Sequence, residues 1–335
     1  MKINMKFLLT TLAIFTVAGS FLAGWHARGR FSGTAKTRSV RLGQNHFTNP
    51  LLTCENGPNE LTGNLQLASL KGKIEQVIAR YRQSGSASSI SVYFSDLNND
   101  NTIEVNGDAG FEPASLIKLP LMIEYFKRAE SDPGVLTKKL TYDGRHDWTL
   151  DQNYRPQKTL EPGKAYTVNE LIFRMVANSD NNAFRTLLTE ADRKYLQEIH
   201  NLLGVETVAD ASGGRLVTAR SYAIFLKTLY NASFLNQEMS EKALKYLTAN
   251  EFHLGIDATI PDSITVASKF GERTTGDNGE IKQIHDYGIV YYPNRPYLIC
   301  IMTKGADFLK LTEGIREISK LVFDEFDARY RPGSR

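Results

Sequence analysis

Phe111-Glu112-Pro113-Ala114-Ser115-Leu116-Ile117-Lys118 is the stretch on which the reading of this chain turns, and an apolar run, Leu119-Pro120-Leu121-Met122-Ile123, follows it. Two side chains three apart on a helix share one face, so Ser115 and Lys118 are expected to be neighbours. A serine hydroxyl is a weak nucleophile until a base takes its proton, and an amine one turn away can be that base. A helix beginning near Pro113 would also set the hydroxyl at the positive end of a helix dipole, where an oxyanion is stabilised. Alone, the quartet is a poor signal, because helix N-termini attract serine as a cap. Its meaning depends on the rest of the chain.

Two more short motifs follow. Ser179-Asp180-Asn181 lies between two helical runs, and Lys269-Phe270-Gly271 closes a strand-like run over 264–271. Taken singly, Ser179-Asp180 reads as an N-cap and Lys269 as an exposed strand lysine. In this order, each on the element it needs, the three form a constellation fit for serine acyl transfer.

The pattern around them is interleaved. Leu67, Leu70, Ile74, Val77, Ile78 and Tyr81 recur at helical spacing and predict a helix over 65–83. Ile90, Val92 and Phe94 alternate as a strand, as do Ile103 and Val105, with Asn98-Asn99-Asp100-Asn101 as the hairpin turn. Residues 130–165 read as loops with short helices. Thr167 and Glu170 form a capping box that opens a helix. Further helical patterns cover 180–190, 193–203, 218–230 and 240–248. Strand-like runs at 288–292 and 297–303 flank the turn Pro293-Asn294-Arg295-Pro296, and a last helix spans 311–328. These elements predict an α+β fold: one antiparallel five-stranded sheet, flanked by the N- and C-terminal helices, plus an all-helical lobe.

Length and composition agree with one large domain. The chain has 335 residues, 41% of them hydrophobic, and a formal net charge of +3. That balance, without aromatics interleaved among basic clusters, argues against nucleic acid. The six histidines show no metal-ligand spacing, so no metal is expected. Of two cysteines, Cys54 lies in a polar stretch, whereas Cys300 sits in an apolar run and reads as a core residue. A Cys54–Cys300 disulfide has no support in the pattern. Lys2 and Lys6 precede an uncharged, mostly apolar stretch from Phe7 to Trp25. Residues 1–26 therefore read as a signal peptide or an uncleaved membrane anchor, which implies export, secreted, periplasmic or held at the membrane. Residues 27–60 read as a flexible linker and 61–332 as the folded domain, expected to be a monomer.

The three motifs resemble those of the penicillin-recognising serine enzymes, and within them the class A β-lactamases. The resemblance covers nearly all of the predicted domain, including the hairpin ahead of the nucleophile, the Glu161-Pro162-Gly163 loop and the final strand pair and helix. It implies a serine hydrolase that works through an acyl-enzyme on β-lactams or on the acyl-D-Ala-D-Ala ends of peptidoglycan stem peptides, with no cofactor. Ser115 would be the nucleophile and Lys118 its base, its pKa lowered by nearby Lys269. Ser179 would pass a proton to the departing nitrogen, and Asn181 would hold the acyl-side amide. Lys269, in the Lys-x-Gly element completed by Gly271, would attract the substrate carboxylate. Backbone N–H groups of Ser115 and Glu272 would form the oxyanion hole.

Two departures narrow the expectation. The family's water-activating glutamate, in a Glu-x-x-Leu-Asn motif, is absent, and only Glu206 and Asp210 offer carboxylates in the corresponding stretch. Acylation without efficient deacylation suits a penicillin-binding peptidase or transpeptidase better than a resistance enzyme. Phe270 stands where the family has a hydroxyl that helps bind the substrate carboxylate; Arg273 or Arg220 would have to supply a guanidinium instead. A non-catalytic cell-wall binding protein on the same fold is the remaining alternative.

Overall fold

The computed structural model describes residues 46–50, 60–209 and 215–331. Helix α1 (Glu60–Gln83) leads into the hairpin β1 (Ser89–Asp96) and β2 (Thr102–Val105). Its turn places Asp100 at φ 58°, while the Asp96 and Asn99 side chains accept from the backbone N–H groups of Asn98 and Asn101. A 3-10 turn, Ala114–Ile117, runs into α2 (Lys118–Ala129). After α3 (Gly134–Thr137), β3 (Lys139–Thr141) pairs with β4 (Ala165–Thr167), and α4 (Val168–Ala177), α5 (Asn181–Leu188) and α6 (Arg193–Leu202) follow. A small hairpin, β5 (Thr207–Ala209) and β6 (Arg215–Val217), precedes α7 (Ala219–Tyr230) and α8 (Gln237–Leu247). The chain then lays down β7 (Val266–Thr275), β8 (Ile281–Val290) and β9 (Tyr297–Gly305), and ends in α9 (Phe308–Tyr330).

The five long strands form one antiparallel sheet in the order β2-β1-β9-β8-β7. Alternation along β9 shows how both faces are used. Ile299 and Ile301 pack with Leu70 and Ile74 of α1 and with Ile315 and Ile318 of α9. Leu298, Cys300 and Met302 join the opposite core, with Met122 of α2, Met175 of α4 and Phe225 of α7. Terminal helices on one face and a helical lobe on the other are the α+β arrangement expected from the sequence. Helix α2 is buried almost throughout, Lys118 and Glu124 included, and only Lys127 and Arg128 of its last turn are half-buried. Cys300 is a free, buried thiol.

Three local differences have physical reasons. Strand β8 runs over Ile281–Val290 rather than 288–292, and β7 extends to Thr275. Glycines at positive φ, Gly276 and Gly279, turn that hairpin tightly, so both strands continue beyond the apolar stretches. The hairpin β3–β4 forms where loops and short helices were expected, with Leu140 opposite Tyr166. Residues 46–50, read as part of a tether, are held against the domain. The Glu241 carboxylate accepts from Phe47 and Thr48 N–H, Asn49 N–H donates to the Tyr230 carbonyl, and the Phe47 ring meets the Tyr291 ring edge-on. Residues 1–26, read as a signal peptide or anchor, and residues 27–45 and 51–59 of the stretch read as a linker, Cys54 among them, lie outside the described residues. Among the described residues no helix is long and apolar enough to cross a membrane.

The capping box at α4 is complete: Thr167 Oγ1 accepts from Glu170 N–H, and Glu170 Oε2 accepts from Thr167 N–H. Thr167→Ala should cost about 1 kcal/mol. Urea unfolding should show a lower midpoint with an unchanged slope.

Candidate active site

Ser115 does not open an α-helix. Pro113 caps the 3-10 turn, and the α-helix proper begins at Lys118. Residues three apart eclipse in 3-10 geometry, so Ser115 and Lys118 still share a face. Ala114 is held at φ 49°, a strain of about 1–3 kcal/mol for a residue with a Cβ. The approach to this turn is clamped from β8. Glu112 N–H donates to Gln283 Oε1 at 3.1 Å, and His285 Nε2 lies 2.9 Å from the Glu112 carbonyl. Thr303 N–H donates to His285 Nδ1 at 3.2 Å, which leaves Nε2 as the donor. Burial lowers the His285 pKa to about 4, so the ring stays neutral in that tautomer. Gly271 of β7 lies against the same turn: a Cβ there would stand 3.0 Å from Ser115 N and 3.1 Å from Leu116 N. A side chain at 271 would have to press this backbone away by a few tenths of an ångström.

Two buried lysines meet at Ser179. Lys118 Nζ donates to the Ser179 carbonyl and to Asn181 Oδ1, both at 2.7 Å, and to Ser179 Oγ at 3.2 Å. Lys269 Nζ reaches the same Oγ at 2.9 Å and the Phe270 carbonyl at 2.8 Å. Ser179 is fully buried and adopts φ 54°, while Asp180 caps α5 through the N–H groups of Asn182 and Ala183. Burial, and then the Lys269 charge, hold the Lys118 pKa well below the ordinary lysine value. Burial also brings Lys269 down, opposed by the carboxylates of Asp286 and Glu272. A neutral amine is thereby within reach near neutral pH, and the Ser179 hydroxyl connects both amines.

The remaining residues singled out from the sequence fall into two groups. Asn181 is at the site, but its Oδ1 serves Lys118 and its Nδ2 donates to the Trp148 carbonyl. Phe270, at the substrate-binding position that the family fills with a hydroxyl, is 4% exposed and stacked on Phe252. Arg273 is exposed beside Glu272. Arg220 is committed to Glu104 on β2, with Nε 2.8 Å from Oε1. Glu206 is exposed, and Asp210 lies outside the described residues. Sequence reasoning missed Gln152, whose side chain donates to the Ser179 carbonyl and accepts from Asn181 N–H. It also missed the Gln283 and His285 clamp; polar residues that break the apolar alternation of β8 were the available signal. Among the described residues no group of three His, Cys, Asp or Glu side chains could hold a metal.

The chemistry open to this arrangement is proton removal from one hydroxyl and delivery to a departing atom, the requirement of acyl transfer through serine. The β-lactamase enzyme family matches residues 69–326, and the chain belongs to that family. A mutant of PBP-A, solved as an acyl-enzyme complex with penicillin G, superposes with a TM-score of 0.65 at 22% identity, covering 78% of this chain and 97% of the other. The class A β-lactamase from Mycobacterium abscessus gives 0.65 at 20% identity, with 77% and 100% covered. The TLA-3 extended-spectrum β-lactamase gives 0.67 at 20%, with 78% and 99% covered. At these identities the likeness establishes the fold. No curated protein matches the sequence.

A protonated Lys118 cannot accept a proton, so acylation of Ser115 should be slow in acid and rise as Lys118 is titrated. Because its pKa is depressed, the rise should be complete below the ordinary lysine range near 10.5. The pH dependence of the acylation rate constant measures this; a rise that begins only near pH 10 would mean an ordinary lysine. Gly271→Ala should slow acylation about 10–100-fold by displacing the nucleophile turn. An unchanged rate would show that β7 can retreat without moving Ser115.

Proposed function

We propose that the chain is a serine hydrolase that attacks β-lactam amides through an acyl-enzyme at Ser115 and releases the acyl group slowly, in the manner of a penicillin-binding protein. The observation that carries this reading is the Ser179 hydroxyl, bonded to two buried lysines of which Lys118 shares a face with Ser115. Ser115 Oγ bonds to the carbonyl carbon while its proton passes to neutral Lys118. The C–N bond then breaks, and Ser179 relays a proton to the nitrogen. The N–H groups of Ser115 and Glu272, brought together by the close approach at Gly271, would stabilise the oxyanion. Slow release is supported by the missing family glutamate and by the exposed position of Glu206. The apolar N-terminal segment supports action outside the cytoplasm, secreted or membrane-tethered, where β-lactams and peptidoglycan stem peptides are met.

Intact-mass spectrometry after incubation with benzylpenicillin should show a lasting adduct that maps to Ser115 and is lost in Ser115→Ala. Rapid turnover without an adduct would point to an efficient β-lactamase instead. Neither adduct nor turnover would sink the proposal and leave a binding protein on this fold.

A further inference from the structure

Ser179 holds a conformation that it would not adopt unaided. Its φ of 54° lies in the left-handed region, which is costly for a residue with a Cβ and persists only where the surroundings fix it. In that conformation its buried Oγ stands 3.2 Å from Lys118 Nζ and 2.9 Å from Lys269 Nζ. The Ser179 carbonyl accepts from Lys118 Nζ at 2.7 Å and from Gln152 Nε2 at 3.0 Å. Gln152 Oε1 accepts from the Asn181 N–H at 3.3 Å. One carboxamide therefore grips the two peptide groups that flank Asp180.

Gln152 is itself firmly placed. It is buried and follows the 3-10 turn Trp148–Asp151, where its own N–H donates to the Thr149 carbonyl at 3.1 Å. Asp147 caps that turn by accepting from the Thr149 N–H at 3.0 Å. The turn is also stitched to the chain beyond Ser179: Trp148 N–H donates to Asn182 Oδ1 at 2.8 Å, and Asn182 Nδ2 donates to Asp147 Oδ1 at 2.9 Å. The partners fix which way the carboxamide faces. Nε2 meets two carbonyls, of Ser179 and, at 3.3 Å, of Tyr154, and a reversed amide would set oxygen against both.

A count of donors shows what the second grip adds. An ammonium group has three N–H bonds, and Lys118 spends them on the Ser179 carbonyl, Asn181 Oδ1 and Ser179 Oγ. A neutral amine has two N–H bonds and a lone pair. Once that lone pair turns to the Ser115 proton, Lys118 cannot serve all three acceptors. A carbonyl held by Lys118 alone would then lose its partner in a buried place, and the strained turn would lose its restraint. Gln152 does not titrate and supplies its donor in either state.

We infer that Gln152 is a positioning residue for proton delivery: its carboxamide keeps Ser179 in the left-handed conformation, with Oγ at the two amines, whether Lys118 carries a proton or not. The inference rests on the acyl-enzyme reading and deepens it. In that reading Ser115 gives its proton to Lys118, Lys118 passes one to Ser179, and the Ser179 hydroxyl gives its own to the leaving nitrogen. Gln152 touches neither the nucleophile nor the leaving atom and acts through Ser179.

The maximal rate of Ser115 acylation by benzylpenicillin, and the concentration that half-saturates it, should be measured by intact mass. Four forms are needed: the wild type, Gln152→Met, Ser179→Ala and the double variant. Met keeps the length of the side chain and removes its hydrogen bonds. Gln152→Met should lower the maximal rate at least about tenfold, because the proton-delivering atom is misplaced. The half-saturating concentration should stay within about threefold, since no binding contact is removed. With Ser179→Ala already present there is no hydroxyl left to aim, so adding Gln152→Met should change the rate by less than about twofold. Thermal unfolding checks each fold. If Gln152→Met does not fold, Gln152→Glu takes its place at about pH 8, where a carboxylate has no proton to donate to the Ser179 carbonyl. An unchanged maximal rate in Gln152→Met, a loss confined to the half-saturating concentration, or an equal loss with and without the Ser179 hydroxyl overturns the inference alone. A wild type that forms no adduct removes the acyl-enzyme reading, and the inference falls with it.

Discussion

Keeping two amines out of water beside one hydroxyl is the constraint on which this site depends. An ammonium group loses much of its hydration on burial, so Lys118 and Lys269 are both driven toward their neutral forms. Hydrogen bonds from each to Ser179 Oγ offset part of that cost, and the acidic side chains of Asp180, Glu272 and Asp286 near them are themselves pushed by burial toward their neutral forms. Backbone strain adds to it, since Ala114 and Ser179 both sit at positive φ without being glycine. The stability that offsets these terms comes from the two apolar layers on either face of the sheet. Site and core are thus set against each other, as is usual where function needs groups that a stable protein would avoid burying.

Local features were legible in the sequence, and long-range ones were not. The apolar run after Lys118, the Thr167 capping box and the uninterrupted strand around Cys300 each carry their signal within a few residues. Strand β8 hid its first half because Gln283, His285 and Asp286 interrupt the apolar alternation, yet all three are buried. Each is buried because it bonds something distant: Gln283 and His285 hold Glu112, and Asp286 accepts from Ile256 N–H. The site divides in the same way. Short motifs name Ser115, Lys118, Ser179 and Lys269, but the fates of Phe270 and Glu272 are decided by Tyr154, 118 residues before Glu272 in the chain. No periodicity reports a contact of that kind.

Membership of the β-lactamase family leaves room for this difference. The family's machinery for making an acyl-enzyme is local in sequence and is present as residue types here. Its machinery for holding a charged substrate is distributed over several elements. In this chain Phe270 is given to an aromatic cluster with Phe252 and Tyr154.

The strand order carries a consequence for how the protein comes into being. The central strand β9 is the last strand made, and its partner β1 is among the first, with Ser88 bonding Lys304 across 216 residues. The nucleophile turn depends on that late arrival, because Thr303 N–H orients His285, which holds Glu112 ahead of Ser115. Contacts this far apart form late and slowly. The turn that carries Ser115 therefore takes its final shape only when the C-terminal strands close the sheet.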